Sequence, residues 1–222
     1  PGRTSRPGGW GQMNCDGSND YVQIGDIAAL KFTSNDFSYG GWVYRRDVAY
    51  AATEYPMGKG STTPFSPYTF AATSSGTLNV YIGASGCIGW LTTTELASTV
   101  VNGVWQHFFL TKAGVLVTLY KDGKSVDSFS MSSASICDNT RPFRLGSGDA
   151  GLPVGPWSGS LDDIRVYRRA LSASEVSVLY HNSRVFYPAL LRRLPVTARA
   201  PAAVTGWGLL LSQSRNRLVR AT

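Results

Sequence analysis

The carboxylates and histidines of the chain are the side chains best suited to catalysis, and their placement argues against an enzyme. Hydrolysis of a glycosidic bond needs two carboxyl groups about 5–9 Å apart. The glutamates Glu54, Glu95 and Glu175 instead fall on a predicted loop, near a turn and at a predicted helix start. His107 lies in a predicted strand, where a structural role is far commoner, and His181 follows the helix, whose dipole favours a cation there. No G-x-S-x-G motif occurs, so the sequence predicts no enzymatic activity.

Three cysteines, Cys15, Cys87 and Cys137, leave at least one thiol unpaired in a monomer. Free cysteine is commonly buried, so buried, reduced thiols are the favoured interpretation. A disulfide between Cys87 and Cys137 is the alternative. No C-x-x-C pair occurs, which argues against a zinc site.

Aromatic side chains are the groups that would bind a sugar, because their apolar faces stack on sugar rings while neighbouring polar groups bind the hydroxyls. Aromatic residues of a β-sandwich more often lie in its core, so a structural role is the alternative for every candidate. The candidate platform residues are Tyr50, Tyr55, Phe65, Tyr68, Trp90 and Trp157.

The positive charge of the chain is concentrated at its C-terminal end. The formal net charge is +7, and the stretch 184–222 holds seven arginines and no acidic residue, so the rest of the chain is formally neutral. Arginine mixed with Leu, Val, Trp and Pro, without lysine, is typical of buried interfaces. An assembly arm is therefore favoured over a solvated tail and over binding to nucleic acid or another anionic surface. The arm residues singled out are Arg184, Arg192, Arg193, Trp207, Arg215, Arg217 and Arg220.

Short strands bounded by turn residues are predicted along most of the chain. Abundant Gly, Ser, Thr and aromatic residues suit pleated, half-buried sheets joined by tight turns. The pair Asp122-Gly123 is typical of a type I′ hairpin turn between two of these strands. The predicted strands are 21–24, 37–44, 68–73, 77–82, 87–92, 105–112, 116–121, 124–131, 143–147 and 159–167.

One short helix is predicted after the strands, because Ser172 and Glu175 form a capping box ahead of apolar residues at helical spacing.

The stretch 47–67 is predicted to be a long loop, either functional or covering a sheet edge. Residues 1–13 and 183–222 are predicted to be extended arms of one domain, 14–182, since too few residues follow the helix to bury a second core. No apolar run approaches the roughly 20 residues of a membrane span.

Four segments carry a family pattern. They read C-D-G-S-N-D-Y-V (15–22), F-S-Y-G-G-W-V-Y (37–44), W-Q-H-F-F-L-T with L-Y-K-D-G (105–111 and 119–123), and G-S-L-D-D-I-R-V-Y-R-R-A-L-S (159–172). In this order they resemble the laminin G-like modules of the concanavalin A-like lectin/glucanase superfamily, over residues 13–181. The resemblance implies an all-β, antiparallel jelly-roll sandwich with one short C-terminal helix. The E-x-D-x-x-E motif of related glucanases is missing, and a Gly/Pro/Arg-rich arm stands where the family often has a first strand.

The resemblance also implies a structural Ca²⁺ site, since many members of the superfamily hold the ion with a carboxylate of the closing strand. Asp162 matches that position, Asp163 adjoins it, and Asp16 is a third candidate ligand. Hard oxygen ligands suit Ca²⁺. The favoured alternative is that these carboxylates cap turns and pair with nearby arginines.

These features together predict a non-enzymatic structural and binding module. The favoured hypothesis is a phage-like virion decoration or fibre protein, whose arms bind other subunits of a homo-oligomer or capsid while its sandwich faces outward and binds glycans. The expected localisation is the virion surface or another extracellular site. The alternative is a carbohydrate-binding or adhesion module of a secreted bacterial surface protein. An exposed aromatic platform would favour glycan binding, and arms buried against other chains would favour assembly.

Overall fold

Two antiparallel sheets and one short helix make up the structure, a computed structural model that describes residues 11–46, 53–60, 66–92, 96–149, 153–183, 208–210 and 219–220. The elements, in chain order, are β1 (Met13–Asp16), β2 (Asp20–Ile24), β3 (Phe37–Arg45), β4 (Met57–Lys59), β5 (Tyr68–Ala72), β6 (Thr77–Gly83), β7 (Trp90–Thr92), β8 (Ala97–Thr99), β9 (Trp105–Ala113), β10 (Leu116–Lys121), β11 (Lys124–Ser130), β12 (Phe143–Leu145), β13 (Gly148–Asp149), β14 (Pro153–Val154), β15 (Ser158–Tyr167), α1 (Ala173–Ser183), β16 (Gly208–Leu210) and β17 (Val219–Arg220).

The sheets have the crossed strand order of a jelly roll, so the predicted fold class is confirmed. Within the described residues, the first sheet has the order β1-β15-β3-β9-β10-β11, and β16 pairs with the second half of β15. The second sheet has the order β17-β2-β12-β4-β5-β6-β7, and β8 also pairs with β6. The short strands β13 and β14 form a separate hairpin. Strands distant in sequence are therefore neighbours in both sheets.

One apolar core fills the space between the two sheets. Because strand residues alternate between faces, every second side chain of the central strands points into the core. The first sheet contributes Phe108 and Leu110, and the second contributes Phe70, Val80 and Ile82, all of which are fully buried. The core therefore fixes which residues of each sheet face outward.

The predicted strands are confirmed to within a few residues, but one begins later than predicted, and the short strands β1, β4, β8, β13 and β14 were missed. Cys87, predicted as the first residue of a strand, belongs to a 3-10 turn over Ser85–Cys87, and the strand begins only at Trp90. The stretch 47–67, predicted as one long loop, contains β4, which lies in the middle of the second sheet between β12 and β5. A three-residue strand with a central glycine gives no readable alternation, so local sequence does not reveal it.

The local motifs form as predicted. Asp122 and Gly123 both have positive φ, 51° and 77°, as a type I′ turn requires. At the start of α1, Glu175 N–H donates to Ser172 Oγ (3.3 Å) and Ser172 N–H donates to a Glu175 carboxylate oxygen (2.9 Å). Arg169 adds two hydrogen bonds to Glu175, and together these partners lower the pKa of that carboxyl to about 2.

The helix α1 covers part of the outer face of the first sheet. Val176 is fully buried in a second apolar cluster with Phe109 and Tyr120 of the sheet. Tyr180 stacks on Trp42, with 5.5 Å between ring centroids. Neither α1 nor the 3-10 turns of the described chain has the length and apolar character needed to cross a membrane.

A buried ion pair joins the two sheets at one end of the core. The Arg45 guanidinium at the end of β3 donates to Glu54 Oε2 through Nε, at 2.8 Å. Glu54 Oε1 accepts from the Ser158 N–H at the start of β15, at 2.9 Å. The Glu54 backbone exchanges both hydrogen bonds with Ala72 of β5 in the other sheet. Burial raises the pKa of Glu54, against the opposing effects of the Ser158 N–H and Arg45.

Neutralising Glu54 will destabilise the sandwich. A Glu54→Gln substitution leaves the Arg45 charge buried without its counter-charge, and breaking a buried pair in this way costs about 3–5 kcal/mol. Urea unfolding followed by tryptophan fluorescence measures the loss. The control is the double variant Arg45→Met/Glu54→Leu, which removes both charges and should cost less than Glu54→Gln. Equal stability of Glu54→Gln and the wild type would contradict the structural role of the pair.

Candidate functional site

A straight row of side chains crosses the outer face of the second sheet. Direct cross-strand pairing joins Gln23 of β2 to Arg144 of β12, Arg144 to Gly58 of β4, Gly58 to Thr69 of β5, and Thr69 to Tyr81 of β6. The sequence neighbours of these residues face the core. Since paired strands lie about 4.8 Å apart, the row extends across roughly 19 Å of the sheet. We call these five residues the first row.

The polar end of the first row is held rigidly. Arg144 Nε donates to Gln23 Oε1 at 2.9 Å, and its NH1 donates to the Gly148 carbonyl oxygen at 3.1 Å. The Arg144 guanidinium also lies 4.5 Å from the centroid of the Tyr21 ring, within cation–π range. Gln23 is exposed, whereas Arg144 is buried. A fixed positive charge therefore lies just beneath this part of the surface.

The middle of the first row is buried. Thr69 is fully buried, and its hydroxyl donates to the Met57 carbonyl oxygen at 3.3 Å. A Cβ atom at Gly58 would lie 2.2 Å from Thr69 Oγ1, so only glycine fits between β12 and β5 at this position. Sequence analysis missed both residues, because their role depends on pairing across strands that are far apart in the chain.

Two half-exposed aromatic rings stand at the other end of the first row. Trp90, at the start of β7, lies edge-on to Tyr81, with 5.3 Å between the ring centroids and 66° between the ring planes. Edge-to-face pairs of this kind hold both rings in a defined orientation. Among the aromatic residues predicted from the sequence to bind a ligand, Trp90 is the one that the described structure leaves partly exposed.

A disulfide fixes the turn that leads into Trp90. Cys87 is bonded to Cys137, so the favoured prediction of reduced thiols is wrong for these two residues and the alternative is confirmed. The same turn is closed by hydrogen bonds from Ala84 N–H to the Gly89 carbonyl oxygen and from Cys137 N–H to the Gly83 carbonyl oxygen, both 2.8 Å. Spacing alone could not reveal the bond, because 50 residues separate the two cysteines.

Cys15 is the free cysteine, and it is fully buried as predicted. Burial, with smaller contributions from Asp20 and Asp16, raises the pKa of its thiol to about 12. The reactive thiolate form is therefore suppressed at neutral pH.

Three other predicted platform residues belong to the core. Tyr55, Tyr68 and Trp157 are buried, and the Tyr68 hydroxyl donates to the Leu30 carbonyl oxygen at 2.9 Å. Tyr68 and Trp157 belong to the apolar core cluster and Tyr55 is 4% exposed, so the described structure leaves none of these three rings open to a ligand. Tyr50 and Phe65 lie outside the described residues.

The three predicted Ca²⁺ ligands do not form one site. Asp163 binds Arg165 through two hydrogen bonds of 2.9 and 3.1 Å, as the alternative interpretation expected. Asp16 Oδ1 accepts from the Ser18 N–H, and it pairs in register with Ser158, four positions along β15 from Asp162. Across the described residues, no three His, Cys, Asp or Glu side chains converge as metal ligands. Asp163 is therefore paired with an arginine, and calcium binding stays a prediction.

The arm residues fall mainly outside the described structure: Arg184, Arg192, Arg193, Trp207, Arg215 and Arg217. Arg220 belongs to β17, whose backbone pairs with β2.

The buried His107 ring packs between two aromatic neighbours. Its ring centroid lies 5.4 Å from that of Trp42 and 5.7 Å from that of Phe109, which agrees with a structural role.

Comparison with known proteins places the fold in a family. Residues 16–177 match a family model described as the concanavalin A-like lectin/glucanases superfamily. No curated protein sequence matches the chain.

Several solved structures share the fold at low sequence identity. The CBM40 domain of a Ruminococcus gnavus sialidase, bound to α2,3-sialyllactose, is 16% identical with a TM-score of 0.57, over 76% of this chain and 97% of that one. Domain 4 of an extracellular arabinanase from Geobacillus stearothermophilus, in complex with arabinotriose, is 17% identical with a TM-score of 0.55, over 78% of both chains. The binding domain of botulinum neurotoxin serotype D is 10% identical with a TM-score of 0.61; this match covers 77% of this chain but only 42% of that one. Identities this low establish the fold alone.

Removing the disulfide will destabilise the protein. The variant Cys87→Ser/Cys137→Ser loses the cross-link that closes a loop of 50 residues, and loops of this length contribute about 2–4 kcal/mol through the lost entropy of the unfolded chain. Urea unfolding with and without dithiothreitol measures the effect. The reductant should lower the stability of the wild type and leave that of the double variant unchanged. A wild type insensitive to reductant would contradict the bond.

Proposed function

The chain belongs to the concanavalin A-like lectin/glucanases superfamily, and from this premise we propose that it is a carbohydrate-binding module. The observation that carries the proposal is the half-exposed Tyr81–Trp90 pair at the end of the first row. Aromatic faces stack on the apolar faces of sugar rings, and adjacent polar groups bind the hydroxyls. The sugar-bound CBM40 and arabinanase domains support the proposal at the level of the fold.

Tyr81, the last residue of the first row, and the neighbouring Trp90 supply the stacking surface. A sugar ring would rest on Trp90 and Tyr81, and the buried residues Gly58 and Thr69 separate this pair from the Gln23 amide. The disulfide-fixed turn and the edge-to-face ring contact hold the platform in place before a ligand arrives. Such preorganisation lowers the entropic cost of binding.

The proposed module binds without catalysis. Among the described glutamates, Glu54 is held in the buried pair with Arg45, and Glu175 is held by Arg169 and the helix start. Both carboxylates therefore have structural partners that account for their positions. Glu95 lies outside the described residues.

Removing the aromatic pair will weaken glycan binding. On a printed array of plant, bacterial and animal glycans, the wild type should bind at least one class, and Trp90→Ala should lower its affinity at least tenfold, or about 1.4 kcal/mol. Tyr81→Ala should act in the same direction, because Trp90 then loses the ring that orients it. Isothermal titration with the selected glycan measures the affinities.

The matched control is Val115→Ala, which truncates an exposed apolar side chain on the turn between β9 and β10, in the other sheet. It should leave the affinity unchanged. Unaltered binding by Trp90→Ala and Tyr81→Ala would refute the assignment of the site. A wild type that binds no glycan on the array would refute the proposed function.

Display on a larger assembly is the second candidate function. The observation in its favour is that two strands of the arginine-rich C-terminal stretch line the sheets: β16 pairs with the half of β15 that β1 leaves unpaired, and β17 adds a strand beyond β2. Edge strands are ready templates for pairing with another segment or another chain. A virion decoration protein or a secreted surface module would both use arms in this way, and either would act outside a cytoplasm, where the disulfide persists.

Deleting residues 184–222 will separate assembly from binding. We expect the full chain to form a defined oligomer and the truncated chain to be a folded monomer, by light scattering after gel filtration. Circular dichroism and a cooperative unfolding transition confirm that the truncated chain folds. A monomeric full chain would contradict the assembly role, and it would leave the glycan-binding proposal unaffected.

A further inference from the structure

A second row of aromatic and polar side chains crosses the opposite face of the sandwich. Cross-strand pairing in the first sheet joins Trp105 of β9 to Tyr44 of β3, Tyr44 to Ser160 of β15, and Ser160 to Asn14 of β1. Their strand neighbours Val43, Leu161 and Cys15 face the core. We call these four residues the second row. It lies on the face that α1 covers elsewhere.

The aromatic half of the second row is partly exposed. Tyr44 and Trp105 lie 5.5 Å apart between ring centroids, with 46° between their planes, and both are half-buried. Two residues earlier in β3, the next outward-facing ring, Trp42, is only 5% exposed because Tyr180 of α1 stacks on it. The helix therefore covers the face as far as Trp42 and leaves the Tyr44–Trp105 pair accessible.

The polar half of the second row is fixed in advance. Ser160 Oγ donates to Asn14 Oδ1 at 2.6 Å, and Gln12 Nε2 donates to the same oxygen at 3.0 Å. Asn14 is itself exposed. Both hydrogen bonds use the amide oxygen, so within the described residues the Asn14 N–H groups are available to a ligand. An exposed side chain held by two hydrogen bonds has little rotamer freedom left to lose on binding.

We propose that the second row is a binding site for a neutral, linear oligosaccharide. Two rings for stacking and two polar groups for hydroxyls follow one another across four strands, a span of about 14 Å, which suits an extended chain of sugars. None of the four residues is charged at neutral pH, and the charged residues beside them on the same face, Asp16 and Arg46, have opposite signs, a balance that favours an uncharged ligand over an anionic one. The proposal stands on its own contacts and does not rest on the first row.

Binding sites on opposite faces would make a single domain divalent. The core separates the two rows, because each consists of the outward residues of a different sheet. A single chain would then bridge two polysaccharide strands, and linked sites raise the overall avidity for a polymer well above that of either site.

Titration with cellohexaose, xylohexaose and mannohexaose tests the proposal on the full chain. We expect at least one hexasaccharide to bind, and the double variant Tyr44→Ala/Trp105→Ala to lower its affinity at least tenfold at the second row. The matched control Val115→Ala, an exposed apolar residue outside both rows, should leave that binding unchanged. The variant Tyr81→Ala/Trp90→Ala reports whether the lost affinity belongs to the other face. Tyr44→Phe and Trp105→Phe keep an aromatic face and should retain most of the affinity.

Each outcome decides between the two faces. Binding lost only in the Tyr44/Trp105 variant supports the second row, even if the first row binds nothing. Binding lost only in the Tyr81/Trp90 variant overturns the second row and leaves the first intact. Binding of none of the three sugars, or binding that neither pair affects, overturns the second row. The urea-unfolding midpoints of all variants confirm that a lost affinity is not a lost fold.

Discussion

The buried pair of Arg45 and Glu54 is the interaction on which the arrangement of both sheets depends. One carboxylate receives the guanidinium of β3 and the first backbone N–H of β15, while its own backbone pairs with Ala72 of β5. Two charges this deeply buried are tolerated only when each is matched, so the relative position of three strands is narrowly constrained. Because β3 and β15 carry the second row and β5 carries part of the first, this contact holds both faces in a single frame.

The pairing register of the strands determines which side chains line up in the two rows. A strand that slipped by one residue would turn its outward side chains into the core. Tyr44 would then exchange faces with Val43, and Tyr81 with Val80, which the fully buried aliphatic positions exclude. The core packing that stabilises the sandwich therefore also aligns aromatic and polar side chains across four or five strands. A flat binding surface needs this alignment, and no single strand can provide it.

Sequence patterns predicted the local structure well, but they could not show which candidate residues lie at the surface. The hairpin turn, the capping box and the long closing strand depend on neighbouring residues, so their signals are visible in the chain. The central strand β4 and the Cys87–Cys137 bond depend on distant partners and were missed or disfavoured. Aromatic content likewise could not separate Trp90, which is half-exposed, from Tyr68, which is fully buried. The deciding quantity is the face each residue occupies, and pairing sets it.

On both faces of the sandwich, polar side chains held by hydrogen bonds accompany the half-exposed rings. Stacking on an aromatic ring contributes only modestly to affinity. Affinity at such a surface therefore depends strongly on how little side-chain conformational entropy is lost on binding. Arg144 is fixed by Gln23 and Gly148 in the first row, and Asn14 is fixed by Ser160 and Gln12 in the second. Both faces thus combine half-exposed rings with polar groups already restrained by their neighbours. A sheet surface that only covered a core would not need either feature.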